Sequence, residues 1–100
     1  MAAAPSPAAP PAVALLLPSV LVPIAGRRTF RTNASTVREV LEAAFAEVPV
    51  LRHHLTLPTG ELRPHILCLV NGDSLPRAEA PGRALADGDE VEIHQAISGG

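Results

Sequence analysis

The segment from Val37 to Glu47 carries the clearest helical pattern in the chain. Thr36 is followed three residues later by Glu39, the spacing of a capping box in which both side chains bind N–H groups at a helix start. Apolar residues then recur at helical spacing, namely Val37, Val40, Leu41, Ala44 and Val48. Pro49 ends the helix near Glu47. A helix with one apolar face needs a cover, so we predict one main helix packed across a sheet.

The segment before this helix predicts a β-hairpin. Residues 12–17 alternate in character and Pro18 closes the run, as prolines tend to close strands. We expect Val20–Val22 to continue the strand after a bend. Ala25–Arg27 is then a turn, and Arg28–Arg31 is the second strand of the hairpin.

The segment after the helix predicts a connection and two further strands. Val50–Leu57 connects the elements, with a short helical turn at Leu51–His54. His65–Val70 is the most apolar strand, and Asn71-Gly72 directly after it is a strong turn signal. We place Ile66, Cys68 and Val70 under the helix, with Leu67 and Leu69 on the opposite face.

The last eleven residues form an alternating strand that runs into two glycines. Val91 and Ile93 lie on one face, and Glu90, Glu92 and His94 lie on the other. Ser98, Gly99 and Gly100 follow, and backbone without Cβ atoms can pass through a narrow tunnel in a partner. The alternative is an ordinary frayed terminus. Between the last two strands, residues 74–86 have room for only a very short strand, and Asp87-Gly88-Asp89 is a turn.

Composition narrows the class of protein. The net charge of −2 argues against a nucleic-acid binder, which needs a basic surface. One cysteine excludes an intramolecular disulfide. Residues 1–11 predict a disordered Ala/Pro leader, 12–96 the folded domain and 97–100 a flexible tail. The short apolar run that Pro18 interrupts fits neither a signal peptide nor a membrane span, so we expect a soluble cytoplasmic protein.

The order of these elements resembles the MoaD/ThiS family of small sulfur carriers, relatives of ubiquitin with a β-grasp fold. The likeness covers residues 12–100. The segments that carry it are Thr36–Leu41, Leu69–Gly72, Asp87–Val91 and Ser98–Gly100. It implies an α+β fold with a mixed four- to five-stranded sheet and one main helix. The long first strand with Leu17-Pro18-Ser19 and the loop Val50–Leu62 are similar to actinobacterial carriers associated with cysteine biosynthesis or secondary metabolism.

The resemblance also implies a chemistry for the tail. An E1-like enzyme adenylates the carboxylate of Gly100 with ATP, and sulfur then replaces AMP to give a thiocarboxylate, while Ser98 and Gly99 thread into the enzyme. A sulfur-accepting enzyme in the biosynthesis of cysteine, molybdopterin, thiamine or a secondary metabolite then takes the sulfur. The chain is therefore expected to be a carrier rather than an enzyme, with no cofactor of its own. Two alternatives stay open, a ubiquitin-like modifier joined through Gly100 to lysines and a non-covalent binding module.

Partner-binding residues are expected on the open face of the sheet. Leu67 and Leu69, with Ala14 and Leu16, form an apolar patch on the face away from the helix. Such a patch is either packed under loops or a partner surface, and family analogy favours the partner surface. Glu90, Glu92 and His94 lie beside the tail. The acidic residues of this region, Asp87, Asp89, Glu90 and Glu92, have two interpretations: turn chemistry or docking onto arginines at the mouth of the activating enzyme.

The remaining reactive side chains are interpreted as structural. Cys68 lies among leucines in mid-strand, and a buried thiol of that kind is inert. The four histidines, His53, His54, His65 and His94, do not have zinc-type spacing with Cys68. We therefore predict no metal site.

Overall fold

The computed structural model describes residues 10–95, and a five-stranded mixed sheet runs through them. The strands are β1 Ala12–Leu16, β2 Thr29–Asn33, β3 Ile66–Val70, β4 Asp73–Leu75 and β5 Glu90–Gln95. The α-helices are α1 Val22–Ala25, α2 Val37–Glu47 and α3 Leu51–Leu55, and short 3-10 turns occupy Ser19–Leu21 and Ala80–Gly82.

The strand order is β2-β1-β5-β3-β4. The central pair, β1 and β5, is parallel, and the other three pairs are antiparallel. Helix α2 packs on one face of this sheet. This arrangement confirms the predicted α+β, ubiquitin-like β-grasp fold.

The main helix begins with a modified capping box. The Thr36 Oγ1 atom accepts a hydrogen bond from the Glu39 N–H at 3.3 Å, as predicted. The Glu39 carboxylate accepts from the Ser35 N–H at 2.7 Å, one residue before the position expected for a standard box. The helix ends at Glu47 as predicted, and its buried side chains are Val37, Val40, Leu41, Ala44 and Phe45.

The connection between β1 and β2 is helical, which contradicts the predicted strand at Val20–Val22. Residues 19–25 form a 3-10 turn followed by α1. Pro23 lies in the first turn of α1, where its fixed φ suits a helix and its missing N–H is not needed. Gly26 closes the helix at a φ of 80°. The hairpin itself is confirmed, although β2 runs over Thr29–Asn33 rather than Arg28–Arg31.

The β3–β4 hairpin follows the predicted turn. Asn71 and Gly72 have φ values of 52° and 87°, which are accessible to asparagine and glycine. The predicted alternation of β3 is also confirmed, because Ile66, Cys68 and Val70 are buried while Leu67 is 42% exposed.

The termini of the chain lie outside the described residues. These are residues 1–9 and 96–100, so the leader and tail boundaries remain predictions. Between residues 10 and 95, every helix is too short to cross the apolar interior of a bilayer.

Candidate functional site: the open sheet face and the end of β5

Strand β5 lies between β1 and β3 and brings most of the predicted partner-binding residues onto one surface. Its polar side chains, Glu90, Glu92 and His94, lie on the sheet face away from α2, while Val91 and Ile93 are buried on the helix side. Glu92 pairs with Leu69 of β3 on one side and with Leu16 of β1 on the other. His94 pairs with Leu67. We call this surface the open sheet face.

The apolar patch predicted on this face is interrupted. Leu67 and Leu69 lie on one side of β5, and Ala14 and Leu16 lie on the other, so the polar side chains of β5 separate the two pairs. Ala14 is also only 5% exposed and presents little surface. The prediction of a single patch was wrong because it depended on which strand stands between β1 and β3, and alternation does not specify strand order.

The two aspartates next to β5 form hydrogen bonds within the fold. The Asp89 carboxylate accepts from the Ala86 N–H and from the Asn71 side-chain amide, both at 2.8 Å. These two donors hold the pKa of Asp89 below its usual value. The Asp87 carboxylate accepts from the Ala12 N–H at 2.8 Å. The geometry therefore favours the turn interpretation for both aspartates.

The glutamates of β5 differ from these aspartates. Within residues 10–95, no ion pair or hydrogen bond engages the Glu90 carboxylate, which is exposed. The Glu92 carboxylate lies 3.6 Å from Nε2 of the exposed His94, and a polar contact this open to solvent contributes little to stability. The carboxylates of both glutamates are thus available to a partner.

An open groove of about 410 Å³ lies where β5 ends. Its walls are Pro18, Ser19, Val20, Arg28, His94 and Gln95. Val20 is 58% exposed, an unusual position for a valine. Sequence reasoning missed this groove because it placed Val20 in a strand. Two helix signals in the sequence could have corrected this placement. Pro23 suits the first turn of a helix, and Gly26 suits the position directly after its last turn.

The single cysteine is structural, as predicted. Cys68 is 1% exposed, and burial raises the pKa of its thiol to about 11. Within residues 10–95, histidine, cysteine and carboxylate side chains form no cluster of three or more that could hold a metal ion.

The predicted reactive residues, Ser98, Gly99 and Gly100, lie outside the described residues. The described part of β5 ends at Gln95, which pairs with Ile66 of β3 and borders the groove. Five residues therefore separate the end of the anchored strand from the carboxyl group of Gly100.

Comparison with known proteins decides the family. The ThiS family profile matches residues 15–100, which includes both terminal glycines. The chain belongs to the ThiS family. This result confirms the resemblance stated above, and the family consists of small ubiquitin-like carrier and modifier proteins.

Individual relatives of this ThiS family member come from archaea and actinobacteria. Small archaeal modifier protein 1 of Haloferax volcanii is 37% identical over 83 residues, which cover 80% of this chain and 91% of the relative. A crystal structure of that protein superimposes with a TM-score of 0.76 at 33% identity, covering 89% and 99% of the two chains. Mycobacterium tuberculosis CysO superimposes with a TM-score of 0.75 at 25% identity, covering 85% and 99%.

Proposed function

We propose that this protein is a sulfur carrier whose working group is the carboxylate of Gly100. An E1-like enzyme adenylates that carboxylate with ATP, and sulfur displaces AMP to give a thiocarboxylate. The thiocarboxylate then donates sulfur to a biosynthetic enzyme. The carrier itself is a cosubstrate, and the proposal places it in the cytoplasm, where ATP is available.

The chemistry explains why a carrier needs so little machinery of its own. A carboxylate is a poor electrophile, so it must first become a mixed anhydride with AMP as the leaving group. The activating enzyme supplies ATP and the groups that bind it. The carrier supplies a terminus that is narrow enough to enter the enzyme, which suits Ser98, Gly99 and Gly100.

The observation that carries the proposal is that the family profile extends through Gly100. The position of β5 supports it, because β5 pairs with β1 over Glu90–Glu92 and with β3 as far as Gln95, which anchors the chain up to that residue. The exposed residues beside this anchor provide a docking surface, with Leu67 as an apolar contact and Glu90 as an acidic one.

A second function, covalent modification of proteins, is favoured by the relatives that are themselves named modifier proteins. The same activated Gly100 serves both functions. Attack by a sulfur donor gives a carrier, and attack by a lysine amine of another protein gives a conjugate.

Intact-mass spectrometry tests the carrier function. The purified chain is incubated with the activating enzyme, ATP and a sulfur donor, and we expect one oxygen of Gly100 to be exchanged for sulfur. A chain with one alanine added after Gly100 is expected to stay unmodified. Gly82→Ala is the matched control, because Gly82 has open space at the Cβ position and ordinary backbone angles.

The outcome that contradicts the proposal is an unchanged mass for the native chain under conditions in which the enzyme consumes ATP normally with another carrier. Lysine-linked conjugates in cell extracts without any thiocarboxylate would instead favour the modifier function.

A further inference from the structure

The basic side chains of this protein share one chemical property. Apart from four histidines, the sequence has eight basic residues, and every one is an arginine, so the 100 residues contain no lysine. A guanidinium group stays protonated at any physiological pH and is not a nucleophile there. A lysine amine, in contrast, attacks activated acyl groups when it loses its proton.

The other strong nucleophile in the chain, the thiol of Cys68, is inaccessible in the fold. The thiolate form of cysteine is the reactive one, and Cys68 is buried with a pKa of about 11. Cys68 also lies on the helix side of β3, with its side chain turned away from the open sheet face.

The absence of lysine matters because one of the arginines lines the groove where the described part of β5 ends. Arg28 is exposed and lines the groove that His94 and Gln95 border at the end of β5. Five residues from Gln95 to Gly100 can span up to about 17 Å, so an activated Gly100 can reach the space around this groove. An amine at position 28 would therefore meet the activated carbonyl at high effective concentration.

We infer that the carrier is protected from acylating itself: its activated Gly100 forms a stable side-chain amide only on a different protein. A second copy of this chain is an equally poor acceptor, so a copy attached to a lysine of another protein carries no side-chain amine for further chain growth. This inference rests on the proposed activation of Gly100, and it excludes further chain growth through the side chains of a copy already attached to an acceptor lysine.

The excluded reaction is ordinary aminolysis. A neutral amine nitrogen would bond to the carbonyl carbon of Gly100, and the bond from that carbon to the leaving group would break. The leaving group, AMP or a thiol, takes the electron pair, and the proton that the nitrogen loses passes to it or to solvent.

A thioester made without any activating enzyme tests this inference. The chain is released from an intein fusion as a Gly100 thioester, after acetylation of its α-amino group, and is incubated at mildly alkaline pH. We expect the native chain to give only the hydrolysed acid. Arg28→Lys is expected to give, in addition, an internal amide that is lighter than the acid by one water.

The matched control is Arg38→Lys, which places an exposed amine in the first turn of α2. The chain enters this turn shortly after Asn33, the last residue of β2. Asn33 pairs with Ala12, which is at the end of β1 remote from the groove. We expect Arg38→Lys to form the internal amide at least about tenfold more slowly than Arg28→Lys, since effective concentration falls with the span to be bridged.

Peptide mapping distinguishes the outcomes. An internal ester, amide or covalent dimer formed by the native chain at any interior residue overturns the inference. Equal and purely hydrolytic behaviour of the native chain and both lysine variants overturns it as well, because lysine content then has no effect. Neither result depends on an activating enzyme, so a failure of the proposed sulfur transfer remains separately detectable.

Discussion

Asn71 and Glu90 bind each other reciprocally, once through each residue's N–H group. The Asn71 N–H donates to the Glu90 carbonyl oxygen at 2.9 Å, and the Glu90 N–H donates to the Asn71 Oδ1 atom at 2.9 Å. The Asn71 amide also donates to Asp89. The β3–β4 turn is thereby tied to the first residue of β5, the strand that leads to the tail.

We expect Asp89→Asn to reduce the loss of stability in acid. The pKa of Asp89 is lowered in the folded chain by the Ala86 N–H and the Asn71 amide, so the unfolded chain takes up the proton first as pH falls. The contribution is complete above the ordinary aspartate pKa of about 3.9 and is lost as pH falls from there through the folded value.

Urea unfolding at a series of pH values from neutral to acidic measures this effect. Asp89→Asn should be less stable than the native chain at neutral pH, with a smaller difference at the acidic end. Asp73→Asn, at an exposed position in β4, is the control. A difference between Asp89→Asn and the native chain that stays constant with pH would contradict the role of the ionised carboxylate.

The thiol of Cys68 should make the protein less stable in alkali. Burial raises its pKa to about 11, so the folded chain holds the proton after the unfolded chain has lost it. Stability from this source is present below the ordinary thiol pKa of about 9 and is lost as pH rises from there towards 11. Cys68→Ala should lack this alkaline component.

Thiol labelling gives an independent measurement. At neutral pH we expect a thiol reagent to leave the folded chain unmodified and to modify it fully in denaturant. Rapid labelling under native conditions would show that Cys68 is accessible.

The cap of α2 should contribute measurably to stability. Thr36→Ala removes the hydroxyl that accepts from the Glu39 N–H, and we expect a loss of about 1 kcal/mol in the free energy of unfolding. Thr36→Ser keeps the hydroxyl and is expected to lose much less. Chemical denaturation of the three chains gives the values, and equal losses for alanine and serine would assign the effect to packing of the threonine methyl group.

The open sheet face should bind the activating enzyme through Leu67. We expect Leu67→Ala to weaken binding about tenfold, which corresponds to about 1.4 kcal/mol. Stability should change by no more than about 0.5 kcal/mol, because Leu67 is 42% exposed.

Val50→Ala provides the matched control for this measurement. Val50 is 43% exposed and lies between α2 and α3, away from β5. Titration calorimetry with the purified enzyme compares the two variants. Equal affinities for Leu67→Ala and Val50→Ala would remove the open sheet face from the binding surface.

The sequence predicted correctly those helices, strands and turns that are specified by residues close together in the chain. The capping residues Thr36 and Glu39 located the start of α2, and Asn71-Gly72 located the β3–β4 turn because few residues adopt its positive φ values. Alternation separated Leu67 from Cys68 correctly, since side chains in a strand alternate between faces. Val20 was misplaced because its apolar neighbours fit a strand as well as a short helix.

Local patterns could not predict two features of the site. These are the groove at the end of β5 and the separation of the apolar residues on the open sheet face. Both depend on β5 lying between β1 and β3, which brings His94 beside Leu67 and places Glu92 between Leu16 and Leu69. Residues far apart in the chain meet there. The alternation of side chains along one strand specifies its buried face but does not specify which strands lie next to it in the sheet.

The sequence by itself determined the α+β class, the Asn71-Gly72 turn, the buried faces of β3 and β5 and the membership of the ThiS family, because these depend on local chemistry and on residue order. It also determined that the chain has eight arginines and no lysine. Only the tertiary structure decided that the aspartates before β5 are used in hydrogen bonds, that Glu90 is available to a partner and that Arg28 lies at the base of the tail. The physical reason is that these properties depend on packing between segments as distant as Ala12 and Asp87.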